Sequence, residues 1–493
     1  MKFPEKRCKD YGVKVKNSVL STLSNDTQTM KKFDEKYGIQ SLIGTLGRLN
    51  ATQVFIHDTV SIRNAEKKIK LIPGLEKYDQ RALLIARPHD LVCVRTDVDT
   101  LYLVFLSGFG IGPNKGNIVT APEGISGNCI ESLSVLFMKN NDALLKIKEL
   151  IGETRKIVLD PYISSQNELE FSDYLSIMLG RKVDFLNRAL ETVSYADGKH
   201  NIRTEAMALD VPVPEGEIVE LLLGKDGRPL DLDPVRAAID RLMNRTGSVI
   251  IKGAYGTSGS SLFIARNNSR SVRSVLNRIS EKNDNRFYIV EVLLDLVCSP
   301  NILMHICPGH GSILCVGVTD QILDENRVHG GNVYPSTAET LEDMIRSSRK
   351  ICKRLQAKGY VGPIGFDFGE YFHPGTDHRD YFIAEVNPRR NAADYPMGLM
   401  EHLNKRQEET AAPPIEAFLS ANLKTKASSF TELSEKNGYL FFNPETGKGV
   451  FPYNTACLEN GKVSIAVLGK TRTEVCELYK NFKAIASIEG CLT

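Results

Sequence analysis

"PIGFDFGEYFHPGTDHRDYFIAEVNPRRNAADYP", residues 363–396, decides how this chain is read. Two apolar runs, 364–371 and 380–387, flank the polar "FHPGTDHRD", whose Pro374 and Gly375 suit a hairpin turn. Each run wants a core, yet Asp367 interrupts the first, and Glu385 and Asn387 interrupt the second. Strand side chains alternate faces, so Glu385 and Asn387 share one. A hairpin symmetric about Thr376 sets Asp367 opposite Glu385. Like charges directly opposed across strands are destabilising and ask for a cation. Two carboxylates and an amide oxygen form a hard oxygen set that suits Mg²⁺ with phosphate oxygens. Pro388 ends the strand, and Arg389 or Arg390 can then face a phosphoryl group, since guanidinium groups neutralise its oxygens in fixed geometry. A solvent-facing edge with a solvated basic corner would carry the same residues.

Outward from this hairpin, the 493-residue chain is long enough for about three domains. Its hydrophobic fraction of 42% and charged fraction of 25% are ordinary for a globular protein. A net charge of +2 implies neither nucleic acid nor an anionic membrane as partner. "MKFPEKRCKDYGVKVKNS" lacks the apolar run of a signal peptide, and no apolar stretch is long enough for a membrane span. Ten cysteines without a CxxC pair read as reduced thiols of a cytoplasmic protein.

Residues 51–107 contain β-like runs, "ATQVFIHD", "ALLIAR", "LVCVRT" and "LYLVFL". The helical "ESLSVLFMKNNDALLKIKELIG", the strand "KIVLDPY" and the helical "FSDYLSIMLG" follow, so an α/β domain is expected over 1–185. "GFGIGPNKGN" (108–117) is not GxGxxG and reads as a turn. A second unit starts at 186. In it "GKHNIRTEAMALDVPVPEGEIV" reads as a helix stopped before Pro212 and leading into a strand. Further helices are expected at 233–244 and 337–358, with Thr337 as N-cap and Gly359 as stop, and strands at 261–266, 286–294, 300–307 and 312–322. "KTKASS" (424–429) is a linker candidate before a small α+β tail.

Two further stretches carry chemistry. "SVIIKGAYGTSGSSLFIARN" puts Lys252 at the end of an apolar strand, before a loop with Gly253, Gly256 and Gly259. Glycines let backbone N–H groups approach phosphate, with Lys252 as countercharge. A lysine that precedes the glycines, with a strand after them, is not a Walker A loop, and a plain hairpin is the alternative. "FYIVEVLLDLVCSP" is apolar except for Glu291 and Asp295; the backbone of 291–293 can read an adenine edge while an acid takes ribose hydroxyls. The loop 324–335, with Arg327, His329 and Asn332, either borders the substrate pocket or is plain surface.

The order of these features resembles the ATP-grasp superfamily. "GKHNIRTEAMALDVPVPEG", "SPNILMHICPGHGSILCVGVTDQILDENRVHGGNVYP" and "YVGPIGFDFGEY…YFIAEVNPRRN" resemble pheganomycin-type peptide ligases. The resemblance implies an α/β (α+β) chain: a pre-ATP-grasp domain (1–185), an ATP-grasp core of two subdomains with ATP between them (186–423) and a small C-terminal domain (430–493). It implies that Lys199 and Lys252 hold ATP phosphates beneath a flap of Tyr255, Gly256, Thr257, Ser258 and Gly259. Glu291 and Leu293 would hold adenine. Asp295 would hold ribose, although Asp295 and Asn301 stand where many such enzymes carry a ribose-binding Glu. Asp367, Glu385 and Asn387 would hold Mg²⁺, one ion or two, with Mn²⁺ as a substitute, and Arg389 and Lys252 would serve catalysis. The implied activity joins a small-molecule acid to an amine, an amino acid or peptide, through an acylphosphate, releasing ADP and phosphate. A homodimer is left open. The rivals are a phosphotransferase on the same scaffold and a non-catalytic nucleotide-binding regulatory protein.

Overall fold

The computed structural model of the chain describes residues 30–488 apart from 48, 63–68, 70–71, 122–129, 154–155, 257–260, 282–284, 310 and 374. Five parallel strands open the fold: β1 (Thr52–Ile56), β2 (Leu91–Val94), β3 (Ile118–Thr120), β4 (Ile157–Pro161) and β5 (Asp184–Phe185), in the order β3-β2-β1-β4-β5. Their apolar runs are continuous because both faces of a parallel sheet are covered. Val54, Phe55 and Ile56 are fully buried, each worth about 1.5–3 kcal/mol.

Two of the expected strands here are not strands. "LYLVFL" lies in the helix Thr100–Gly108, because the Asp99 carboxylate accepts the N–H groups of Leu101 and Tyr102 and caps it. "ALLIAR" overlaps the 3₁₀ stretch Leu75–Leu84. "GFGIGPNKGN" therefore follows a helix, and Gly110 and Gly112 take φ of +69° and +90° in a turn.

Four antiparallel strands form a second sheet in the order β6-β9-β7-β8: β6 (Gly216–Glu220), β7 (Ser248–Gly253), β8 (Leu262–Arg266) and β9 (Phe287–Val292). The helices Asp233–Thr246 and Ser269–Ser280 bury Val235, Ile239, Leu242, Val275 and Ile279 against it.

The third sheet has nine strands: β10 (Leu296–Cys298), β11 (Pro300–Ile306), β12 (Ile313–Leu323), β13 (His329–Tyr334), β14 (Gly362–Phe372), β15 (Arg379–Asn387), β16 (Ala417–Lys424), β17 (Gly449–Tyr453) and β18 (Lys462–Gly469). Both β10 and β11 pair with β14, which also carries β15. From β11 the sheet runs through β12, β13, β16 and β18 to β17, so the C-terminal strands continue the sheet that carries the hairpin. Half of the expected loop 324–335 is β13, paired to both β12 and β16. "KTKASS" is packed, with Thr425 and Ala427 buried and Ser429 capping the helix Phe430–Asn437. The helix expected to start after Thr337 starts at Leu341. Asp320 accepts the Thr337 N–H and hydroxyl, both at 2.9 Å, and Glu370 accepts those of Thr340, both at 2.8 Å. One core joins the first and third sheets, with Leu83, Val92, Ile302, Phe366 and Phe418 in the same cluster. Among the described residues, no helix is long and apolar enough to cross a membrane.

Candidate active site

The hairpin sets the site. Asp367 on β14 pairs with Glu385 on β15, as the sequence predicts. The turn half is centred one half-residue earlier, since Phe372 pairs with Arg379, and a bulge between Asp367 and Phe368 at Ala384 restores the register. Asn301 Nδ2 donates to Asp367 Oδ1 at 2.5 Å, and Asn387 Nδ2 donates to Asp367 Oδ2 at 3.0 Å. Burial first, and the Glu385 charge second, raise the Asp367 carboxyl to about 7 against these hydrogen bonds. The buried Asn301 Oδ1 has no hydrogen-bond partner among the described residues. Among those residues no group of three or more His, Cys, Asp or Glu forms a metal cluster; the set is two carboxylates and an amide.

Lys199 and Lys252 reach this pair from the second sheet's side. Lys199 opens the helix Lys199–Ala208, and its N–H bonds the carbonyl of Ala254 just past β7. Its Nζ lies 3.1 Å from Glu385 Oε1 and donates to the Gly256 carbonyl at 3.0 Å. Lys252 Nζ lies 2.5 Å from Glu291 Oε2 and 3.5 Å from the Ala384 carbonyl. Glu291 also pairs with Arg203, one helical turn after Lys199 on the same face. Two cations thus share one carboxylate, which leaves one positive charge beside the cleft. Arg203 was missed in the sequence, although its i,i+4 spacing from Lys199 was the available signal.

Lys199, Lys252, Gly256, Glu291, Leu293, Asp367 and Glu385 line one cleft of about 880 Å³, open mouth included. Ile250, Leu294, Leu296, Leu323 and Phe382 supply its apolar lining, and Arg327 from the expected pocket loop joins them. That size and mixture suit a small organic ligand with an apolar ring and charged groups. The residues expected around adenine and ribose differ in their surroundings. The Leu293 N–H is engaged with the Ser248 carbonyl at 3.3 Å, whereas Leu294 N–H has no backbone partner among the described residues. The Glu291 side chain is taken by the two cations and its backbone is paired on both sides, to Gly216 and Ile250. Asp295 is exposed and does not line the cleft. Tyr255 is anchored at the base of the loop, where its N–H donates to Asn285 Oδ1 at 2.7 Å. Thr257, Ser258 and Gly259 lie outside the described residues.

The two arginines divide. Arg390 is fully buried and holds Asp160, at the end of β4, through Nη2–Oδ2 at 2.5 Å and Nε–Oδ1 at 3.2 Å. This bidentate pair fastens the hairpin to the first sheet, so Arg390 does not face the cleft chemistry. Arg389 is half-buried; it donates to Asn387 Oδ1 at 2.6 Å and to the Tyr162 hydroxyl at 3.2 Å. Gly365 on β14 leaves room for the Asn391 side chain, because a Cβ there would stand 1.4 Å from Asn391 Nδ2. Asp160, Tyr162 and Arg81 went unremarked in the sequence, where nothing marks residues that meet across such long separations.

No family model matches the chain, and no curated protein does. Among solved structures it is similar to carboxyaminoimidazole ribonucleotide synthase from Aspergillus clavatus complexed with ATP, at 12% identity and TM-score 0.48 over 89% of this chain and 99% of that one. It is also similar to N5-carboxyaminoimidazole synthetase from Staphylococcus aureus, at 10% identity and TM-score 0.49 over 88% and 97%. A third is a biotin carboxylase complex from Campylobacter jejuni, at 13% identity and TM-score 0.49 over 90% and 91%. At these identities and TM-scores the likeness assigns nothing to this chain.

Proposed function

We propose that this chain is an ATP-dependent carboxylate–amine ligase of the ATP-grasp type. The observation that carries the reading is the Asp367–Glu385 rung, set beside Lys199 and Lys252 in a cleft with an apolar lining. ATP would lie in that cleft, its adenine edge facing the Leu294 N–H and its phosphates facing Lys199 and Lys252.

The donor set fits Mg²⁺. Two carboxylates oppose each other, Asp367 is driven toward its neutral form, and the Asn301 Oδ1 beside it is unsatisfied. Asp367, Glu385 and Asn387 would hold the ion. Arg389 uses one lone pair of Asn387 Oδ1, and a carbonyl oxygen has two. Once bound, the ion would supply charge neutralisation to phosphate oxygens.

In this reading an oxygen of the substrate carboxylate attacks the γ-phosphorus. The bond to the β-phosphate oxygen breaks, and ADP leaves with that electron pair. Lys252 and Arg389 balance charge on the moving phosphoryl group, and positioning does most of the work. The amine then attacks the carbonyl, and phosphate leaves with the former carboxylate oxygen. Lys199, freed from Glu385, turns to a phosphate oxygen. The division into 1–185, 186–423 and 430–493, a cytoplasmic location and an amino acid or peptide as amine belong to the same reading.

The test is ADP release from a panel of acids and amines, expected only when both partners are present. Release with the acid alone and a stable phosphorylated product would indicate a phosphotransferase, and ATP binding without turnover a regulatory protein. Glu385→Gln should keep the fold and lose several kcal/mol of charge stabilisation. Near-normal turnover in that variant sinks the site.

A further inference from the structure

Guanidinium N–H groups are left over where the hairpin meets the first sheet. Arg81, Arg389 and Arg390 gather there with Asp160 and Asp394, and the charges of Asp197, Asp367 and Glu385 also act on Arg389. Asp160 pairs with Arg390, and Asp394 accepts the Asn391 N–H at 2.5 Å. Arg81 is only 5% exposed, and no described carboxylate forms an ion pair with it. Its Nε and Nη2 have no hydrogen-bond partner among the described residues, nor has Arg389 Nε. The Arg81 guanidinium carbon stands 4.0 Å from the Tyr162 ring centre and 4.6 Å from that of Tyr395. Arg389 stands over the same Tyr162 ring at 5.4 Å. Ring stacking and the Tyr162 hydroxyl offset part of the cost of burying the Arg81 guanidinium, but they leave its buried Nε and Nη2 unsatisfied. The place itself is a ligand position, since β1 and β4 flank the point where the strand order of the first sheet reverses.

We propose that Arg81 binds an anionic group of the acid substrate, a carboxylate or a phosphate, other than the carboxylate that is activated. The proposal rests on the ligase reading for the identity of the ligand, but not for the existence of the anion site. The two guanidinium carbons are no more than 9.4 Å apart, the sum of their distances to the Tyr162 ring centre. A reactive carboxylate near Arg389 and a second anionic group on Arg81 therefore belong to one small molecule. The substrate class is a dianionic acid, of dicarboxylate or phospho-carboxylate type. Arg81 also explains why the first sheet is built into the site: Tyr162, which it stacks on, is the residue that Arg389 touches.

Calorimetric titration of glutarate, pentanoate and inorganic phosphate into the full chain tests this, with Arg81→Met and Arg81→Lys alongside. The wild type is expected to bind glutarate or phosphate at least tenfold more tightly than pentanoate, and the tighter of the two tells carboxylate from phosphate. Arg81→Met keeps an apolar contact with the Tyr162 ring and should lose that preference while its ATP affinity holds. Arg81→Lys keeps the charge and should retain part of it. Equal anion preference in Arg81→Met and the wild type, or no preference in the wild type, overturns the proposal. Should Arg81→Met not fold, undiminished preference in folded Arg81→Gln overturns it equally, and lost preference there supports it. Failure of the ligase reading shows separately, as no ADP release with any acid and amine while the Arg81-dependent preference persists.

Discussion

Arg389 and Arg390 are neighbours in sequence with opposite assignments, and a double-mutant cycle separates them. Arg390 and Asp160 are both fully buried and bonded twice, at 2.5 and 3.2 Å. Removing one partner of a buried pair strands the other charge and costs about 3–5 kcal/mol, whereas removing both costs much less. Arg390→Met and Asp160→Asn should therefore each destabilise the chain by that amount, and the double variant by much less than their sum. At about 1 °C per kcal/mol for a chain of this length, each single change lowers the thermal midpoint by roughly 3–5 °C. Arg389→Met, with no carboxylate partner, should shift it by no more than about 1 kcal/mol and act on turnover instead. The pair also predicts acid behaviour. Burial raises the Asp160 carboxyl, but the Arg390 charge, nearby His57 and the hydrogen bonds from Arg390 outweigh it and hold it well below the usual carboxylate range. A depressed folded value means stability present above the unfolded value near 4 and lost as pH falls further. Asp160→Asn should flatten that acid limb. Differential scanning fluorimetry across pH reads both effects. A cost under about 1 kcal/mol for Arg390→Met, or full additivity in the double variant, would refute the assignment.

Lys252→Ala should cost little stability, because Arg203 keeps Glu291 paired, while the cleft loses a cation. A charged hydrogen bond is worth about 1.5–3 kcal/mol, so ATP affinity by calorimetry should fall on the order of tenfold to a hundredfold. Unchanged affinity would make β7 and its loop an ordinary hairpin. Asp34 is raised to about 7, by burial first, against a 3.0 Å bond from the Tyr334 hydroxyl. A raised acid favours the fold at low pH, and that contribution is lost as pH climbs from about 4 through 7. Asp34→Asn should gain stability relative to the wild type over that window, and parallel pH–stability curves for the two proteins would contradict it.

Much of the site was legible because it is local. Asp367, Glu385 and Asn387 lie on one hairpin, and period-two alternation with a Pro-Gly turn fixed their pairing. The bulge at Ala384 was invisible, since nothing in "FIAEVN" marks it, and only the turn centre reveals that it is needed. Composition misled at 101–106, where β-prone residues yielded to the Asp99 cap. It misled in the other direction at β13, where "HGGNVY" has weak strand character. Gly331 is there for close approach, as a Cβ would stand 2.0 Å from the Ser420 carbonyl of β16. What stayed unreadable was convergence across long separations. Glu291 serves Lys252 because β9 runs beside β7, and Asp160, Tyr162 and Arg81 meet the hairpin only once the first sheet docks on it. Buried charge pairs leave no periodicity to find.

The central claim is that phosphate passes through the acid on its way to forming an amide, and oxygen tracing tests it most directly. Acid labelled with ¹⁸O in its carboxylate is incubated with ATP, Mg²⁺ and the amine, and the products are read by mass spectrometry. An acylphosphate pathway puts one label into inorganic phosphate for each amide formed, and hydroxylamine in place of the amine gives a hydroxamate. Label in AMP with pyrophosphate release, or unlabelled phosphate at full amide yield, would contradict the mechanism even with ATP bound in the cleft.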